Sequence, residues 1–214
     1  MLERFIASPC PICRQLAQGA EAPGPWGCLH CQQQLALPRR GLHALQPLPW
    51  WAAGRYEGEL RRLLLRLRRH PQERTLSALL PGLVEGLPHW QGAPWLVPIP
   101  SWKRQANPLP GLLVRQLGRQ LGLGRADLLE RSHPVLGQHH LNRRMRLANQ
   151  EGAFRCRGPA AAEARRHPLL IVDDILTTGA TALSACRSLE EAGWQVAGLV
   201  CLARTPPRGG RAVI

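Results

Sequence analysis

The sequence predicts an α/β protein, a doubly wound and mainly parallel sheet preceded by a small cysteine-rich module. Three observations carry that expectation. The apolar run "LLIV" at 169–172 is followed by a helix-like stretch and then by a second apolar run, "QVAGLVCLA". Upstream, "WLVPIP" at 95–100 gives way to leucines at 109, 112, 113, 117 and 121, at helical spacing. Four of the seven cysteines fall within the first 45 residues. Strands that read as unbroken hydrophobic runs are those covered on both faces, and strand, helix and strand in succession form the right-handed crossover of a parallel sheet.

The first 45 residues hold few long apolar runs and contain the turn-rich spacer "EAPGPWG", which sets them apart as a module from residues 46–214. Cys10 and Cys13 form one C-x-x-C pair, Cys28 and Cys31 another, and 14 residues separate the pairs. Two thiolate pairs on tight turns supply the tetrahedral sulfur shell that Zn²⁺ prefers, and a closed shell leaves no position for water, so the metal is expected to be structural. Two disulfides would require an oxidising compartment, and a redox dithiol would not need the second pair. His30, inside the second knuckle, reads as a surface residue. Cys156, Cys186 and Cys201 lack ligand spacing and read as small core residues.

"LQPLPWW" carries the chain into the larger part. From Glu59 onward Leu60, Leu63, Leu64 and Leu67 recur at helical spacing, with Arg61, Arg62, Arg66, Arg68 and Arg69 on the remaining faces, which predicts an amphipathic helix that is basic outside. "WLVPIP" is a short strand closed by proline, and the leucines to Leu121 mark its helix. An arginine-rich polar connector spans about 131–168. "LLIV" is the second strand, "ATALSACRSLEEAG" a helix stopped at Gly193, "QVAGLVCLA" the third strand and "RTPPRGGRAVI" a loose tail. In such sheets ligands bind at the carboxyl ends of the strands.

The formal charge is +14, and all but one of the 28 basic residues are arginine, Lys103 being the exception. Arginine forks pair with phosphates and stack on bases, so single-stranded DNA is one expected partner; a GC-rich genome would also raise Arg, Ala, Gly and Pro together, and charge alone does not separate the two. Trp50, Trp51, Trp90, Trp95 and Trp102 would offer stacking faces if exposed, although burial is the expectation for most of them. No segment reaches the length of a membrane span, and "MLERFIASPC" lacks a secretory signal pattern, so a cytoplasmic location is expected. The absence of G-x-x-x-x-G-K-[ST] argues against a P-loop ATPase.

Asp173 and Asp174 stand where the "LLIV" strand stops, and "ILTTGAT" follows. Hydroxyls, a glycine and the amides of a helix start make a socket for a phosphate. Two carboxylates beside it would repel the phosphate, so their partners should be neutral hydroxyls, a ligand-borne metal or developing positive charge. A sugar phosphate meets all three conditions. The plainer alternative is that the acids and Thr177 and Thr178 only cap the turn and the helix.

"IVDDILTTGAT" resembles the phosphoribosyl pyrophosphate (PRPP) signature of type I phosphoribosyltransferases. With the four-cysteine start, the chain resembles the ComF family (ComFC/GntX-like), competence-associated proteins with that fold. "YEGELRRLLLRLRR" is similar to the family's basic-helix block and "LVPIP" to its VPVP strand. "QHHLNRRMRLANQEGAF" is similar to a further block, with Gln138, Leu141, Arg146, Asn149 and Phe154 in step. The resemblance implies that Asp173 and Asp174 bind the ribose hydroxyls of PRPP, that Thr177, Thr178, Gly179, Ala180 and Thr181 wrap its 5′-phosphate, and that Mg²⁺ accompanies the ligand. It also implies a role in DNA uptake during natural transformation. After the VPVP strand the family usually continues to a motif like RGFNQ, where this chain has "SWKRQANPLPG"; Lys103 and Arg104 are the remaining candidates for pyrophosphate contacts. Two functions are thus open: a transferase acting on PRPP toward an unnamed acceptor, and a non-catalytic single-stranded DNA-binding protein that keeps the fold and zinc module.

Overall fold

The computed structural model describes residues 9–16, 26–101, 107–132, 152–158 and 167–206. Its main sheet has the order β1-β2-β8-β6-β3, comprising β1 (Leu42–Ala44), β2 (Trp50–Arg55), β3 (Trp95–Pro98), β6 (Leu169–Val172) and β8 (Val196–Arg204), with β7 (Ile175–Leu176) extending along β8. All pairings in it are parallel except β1 with β2, so the sheet is of the expected mainly parallel kind. A two-stranded antiparallel ribbon, β4 (Leu129–Arg131) with β5 (Phe154–Cys156), stands beside it.

The central strands are hydrophobic throughout because both faces are covered. Leu170 and Val172 of β6 join one core with Leu60, Leu64 and Leu67 of α2 (Gly58–Arg69) and Leu113 and Leu117 of α5 (Leu109–Leu121). Their neighbours Leu169 and Ile171 point the other way, into a second core with Ala182, Ala185 and Leu189 of α6 (Ala180–Glu191) and Phe154 of the ribbon. This two-residue alternation between two dry cores is what a doubly wound sheet requires. Short helices α3 (Glu73–Ser77) and α4 (Pro81–Gly86) complete the first layer, and α1 (Leu29–Leu35) starts directly after Cys28 and carries Cys31.

Sequence periodicity anticipated α2, α5, α6, β3, β6 and β8. It missed β2, a six-residue strand inside the sheet, and it took Phe154–Cys156 as part of a polar connector although this segment pairs with β4 and buries Phe154. Edge strand β1 comes from within the first 45 residues. Trp50 is buried, Trp51 meets Trp90 edge-on, and Trp95 stacks on the His167 imidazole at 4.9 Å, so these rings are engaged within the protein. Trp102 lies outside the described residues.

Candidate functional site

Two constellations stand out, one of metal type and one of ligand type, and both border α2. At the N-terminal side, the sulfurs of Cys10, Cys13, Cys28 and Cys31 all lie within 4.8 Å of one another. The Cys10–Cys31 separation is 3.9 Å and the Cys13–Cys28 separation 3.8 Å. A tetrahedron of Zn–S bonds of about 2.3 Å has edges of about 3.8 Å, so the cage is the right size for zinc. The amides of Ile12 and Cys28 donate to the Cys10 sulfur, as thiolates need when they ligate a metal. Burial pushes the Cys10 thiol up, but these amides and that of Cys13 outweigh it and bring it down to about 6. Burial and the neighbouring sulfurs push Cys31 up. Thr75 ties the first knuckle to the larger part by donating to the Pro11 carbonyl at 2.5 Å, and His30 is exposed, outside the cage.

The second constellation is a cleft of about 420 Å³ at the carboxyl end of β6. Asp173 and Asp174 line it together with Tyr56, Arg68, Asn107, Arg131, Thr177 and Thr181. The acids are not equivalent. Asp174 is 3% exposed and its Oδ2 accepts from Arg68 Nε at 2.6 Å and from Asn107 Nδ2 at 2.9 Å. Burial alone would lower the Arg68 pKa, but the hydrogen bond and charge of Asp174 raise it. Among the described residues Asp173 makes no ion pair: burial, and then the charge of Asp174, push its carboxyl up to about 8. Its Oδ1 accepts from the Asp174 amide at 2.8 Å.

Beyond β7 the chain turns through Thr177, Thr178 and Gly179 into α6. Gly179 sits at φ +84°, and a Cβ there would fall 2.4 Å from Pro47 Cγ, so conformation and space both demand glycine. Arg204 holds the carbonyls of Leu176 and Thr177 from below. The first-turn amides of a helix lack intrahelical acceptors, and a 12-residue helix adds its dipole to them. Thr177 and Thr181 face the same cleft as the acids, while Thr178, Gly179 and Ala180 form the turn behind them.

Sequence reading placed Arg68 on the solvent side of α2, and the structure corrects this: Arg68 reaches Asp174. The signal was present, because Arg68 continues the i, i+4 row of the buried Leu60 and Leu64. Asn107 and Arg131 carried no motif and were missed. Lys103 and Arg104, with Gln138, Leu141, Arg146 and Asn149, lie outside the described residues.

A parallel sheet whose central strand ends on two acids, followed by a glycine-gated turn into a helix, is the fold of a type I phosphoribosyltransferase. Consistent with it, residues 108–212 match the phosphoribosyl transferase domain family. A 43-residue stretch is 56% identical to the adenine phosphoribosyltransferase of Kineococcus radiotolerans, covering 20% of this chain and 23% of that protein. Over 198 residues the chain is 30% identical to the DNA utilization protein YhgH of Escherichia coli K12, covering 92% of this chain and 78% of the relative. It is 28% identical over the same length, with the same coverage, to the Salmonella typhimurium protein of that name. The chain belongs to the ComF family of phosphoribosyltransferase-like proteins, with its N-terminal four-cysteine zinc module.

Proposed function

We propose that this chain binds phosphoribosyl pyrophosphate with Mg²⁺ in the β6 cleft, in the service of DNA uptake. The observation that carries this reading is the meeting, in one cleft, of two adjacent acids and the Thr177–Thr181 turn. The turn offers amides and hydroxyls to a 5′-phosphate, and the acids offer acceptors to ribose hydroxyls. Asp174, fixed by Arg68 and Asn107, gives an acceptor of set direction. Asp173 is the acid free to change protonation when a cation or hydroxyl donor arrives. Mg²⁺ arriving with the ligand would find its protein oxygen donor in Asp173 and would supply neutralisation of leaving-group charge. In a transfer reaction the acids would face the anomeric carbon as it gains positive character, where fixed negative charge lowers the barrier. Lys103 and Arg104 remain the proposed pyrophosphate contacts from the loop after Pro100.

The link to DNA rests on the relatives' description as DNA utilization proteins. A second observation favours a direct form of it. A groove of about 700 Å³ runs between the zinc knuckles and α2, and Arg14, Arg62, Arg66 and His30 line it, with Glu59 paired to Arg62. Such a basic groove would take a single-stranded DNA backbone, with an affinity that falls steeply with salt.

Calorimetric titration of the zinc-loaded protein with PRPP and Mg²⁺, beside the Asp173→Asn/Asp174→Asn double variant, tests the first reading. Binding by the wild type that the folded variant has lost is the expected result. Equal binding by both would remove the acids from the site, and no binding by either would leave the DNA groove as the functional feature.

A further inference from the structure

Arg204 closes β8, and its Nη1 donates to three carbonyl oxygens: that of Leu176 at 3.1 Å, that of Thr205 at 3.0 Å and that of Thr177. Leu176 and Thr205 already meet where β7 runs beside the end of β8, since the Thr205 amide donates to the Leu176 carbonyl at 2.9 Å. The Thr177 carbonyl is different. It lies one residue past β7 and belongs to the turn into α6, so this contact reaches out of the sheet. The guanidinium carbon stands 5.6 Å from the centroid of the buried Trp50 ring, whose own N–H is tied to the Gln46 carbonyl at 2.8 Å. Pro47 of the same segment fills the space beside Gly179. Residues 46–50 thus brace the turn, and neither Pro47 nor Trp50 lines the cleft.

A trans peptide is planar, and its C=O and N–H point in opposite directions. Drawing the Leu176 and Thr177 carbonyls toward Arg204 on β8 therefore directs the amides in the same two planes, those of Thr177 and Thr178, away from β8. The described residues that line the cleft include Thr177 and Thr181 but not Arg204. Among the described residues neither the Thr177 nor the Thr178 amide donates a hydrogen bond within the protein. Successive amides turned to one side make a concavity that suits an anion. Here their direction is set by a cation that itself stays outside the cleft.

From this arrangement, and resting on the sugar-phosphate reading above, we infer that Arg204 is a positioning residue for the phosphate turn: by pinning the Leu176 and Thr177 carbonyls to the end of β8, it aims the Thr177 and Thr178 amides at the phosphate of the ligand without touching the ligand. A guanidinium suits the task because its donors lie in one rigid plane and it keeps its charge, while the Trp50 ring packs against that plane. The turn is then set before a ligand arrives, and little freedom is lost on binding. Trp50, whose ring the sequence would offer to a nucleic-acid base, serves instead beside Arg204.

The test titrates ribose 5-phosphate, Mg²⁺–PRPP and inorganic phosphate separately into zinc-loaded wild type, Arg204→Met and Arg204→Lys, with thermal melting to check the folding of each. The chain has five threonines, so ¹⁵N-threonine labelling displays the Thr177 and Thr178 amides in a sparse spectrum. In the wild type ribose 5-phosphate should move both amide protons downfield. Arg204→Met keeps an aliphatic stem against Trp50 and loses the donors. It should weaken ribose 5-phosphate by about tenfold or more, the loss expected of a charge-assisted hydrogen bond, and should erase both shifts. Arg204→Lys retains a cationic donor without the fork and should recover part of the affinity and of the shifts. Equal binding of ribose 5-phosphate by wild type and folded Arg204→Met would overturn the inference and leave the sugar-phosphate reading standing. So would weaker binding with both shifts retained, which would mark Arg204 as a support of the fold. Inorganic phosphate that moves the two amides in an Arg204-dependent way, in a protein that ignores ribose 5-phosphate and PRPP, would sink the sugar-phosphate reading and leave this inference standing. A wild type in which none of the three moves either amide would overturn it. Should Arg204→Met fail to fold, Arg204→Lys decides by the same comparison.

Discussion

Replacing Arg68 with methionine keeps the aliphatic stem against α2's buried leucines and removes the charge from Asp174. The carboxyl left behind is 3% exposed and, among the described residues, keeps the Asn107 hydrogen bond. Stripping one partner from a fully buried pair costs about 3–5 kcal/mol. The Arg68 side chain is 34% exposed, so water already screens part of the attraction, and a loss of roughly 1–3 kcal/mol is the appropriate figure. For a chain of this size each kcal/mol lowers the melting temperature by about 2–4 °C, so Arg68→Met should melt roughly 2–12 °C below wild type. The specific claim is coupling. In a double-mutant cycle with Asp174→Asn, followed by urea unfolding of the zinc-loaded protein, the two losses should fall short of additivity by about 1 kcal/mol or more. Additivity within about 0.5 kcal/mol would refute the argument, because it would mean that the pair at 2.6 Å contributes nothing as a pair.

Three further outcomes follow from the same geometry. Asp173 has a folded-state value raised to about 8 from 3.8, so the native protein holds a proton that the unfolded chain releases; stability is full below about pH 4 and is lost as pH rises toward 8. The unliganded, zinc-loaded protein should therefore melt progressively lower between pH 5 and pH 8 on this account, and Asp173→Asn should flatten that slope and melt higher than wild type at pH 8; parallel curves would show that Asp173 does not carry the proton. Gly179→Ala should lower stability by roughly 1–3 kcal/mol through its φ of +84° and its collision with Pro47, and should abolish PRPP binding, as read by melting with and without ligand. Chelation of zinc at neutral pH should open the knuckles while leaving the sheet folded, seen as new proteolytic cuts around residues 9–35 with unchanged protection of β6 and β8.

Much of this fold is legible from hydrophobic spacing alone, and the failures have physical reasons. The runs at 169–172 and 196–204 name themselves because a strand covered on both faces can carry little else. Strand β2 escaped because "WWAAGR" mixes two large rings with small residues: Ala52 and Ala53 alternate between the two cores, and Gly54 has no room for a Cβ between Leu37 and Leu60. Close packing against α2, invisible in sequence, makes small residues the right strand formers there. The ribbon β4–β5 escaped because only Leu129 and Phe154 in it are buried, too few to show a period.

The site divides along the same line. Motif chemistry picked out the adjacent acids and the Thr177–Thr181 turn, which the fold brings to one cleft, because both fall within a dozen residues, and the cysteine cage was legible because two C-x-x-C pairs admit few other uses. Arg68, Asn107 and Arg131 reach the cleft from three other segments, and only the fold brings them there. Asp174 shows why they had to come. Its side chain takes Arg68 from α2 and Asn107 from the start of α5, while its carbonyl receives the Leu202 and Ala203 amides of β8. One residue thus locks four segments at the mouth of the cleft. Its partners give Asp174 the positioning role, and the raised carboxyl of Asp173 gives that acid the proton-sensitive one. It follows that Asp173→Asn will change the pH profile of ligand binding more than its strength at low pH, whereas Asp174→Asn will weaken binding at every pH.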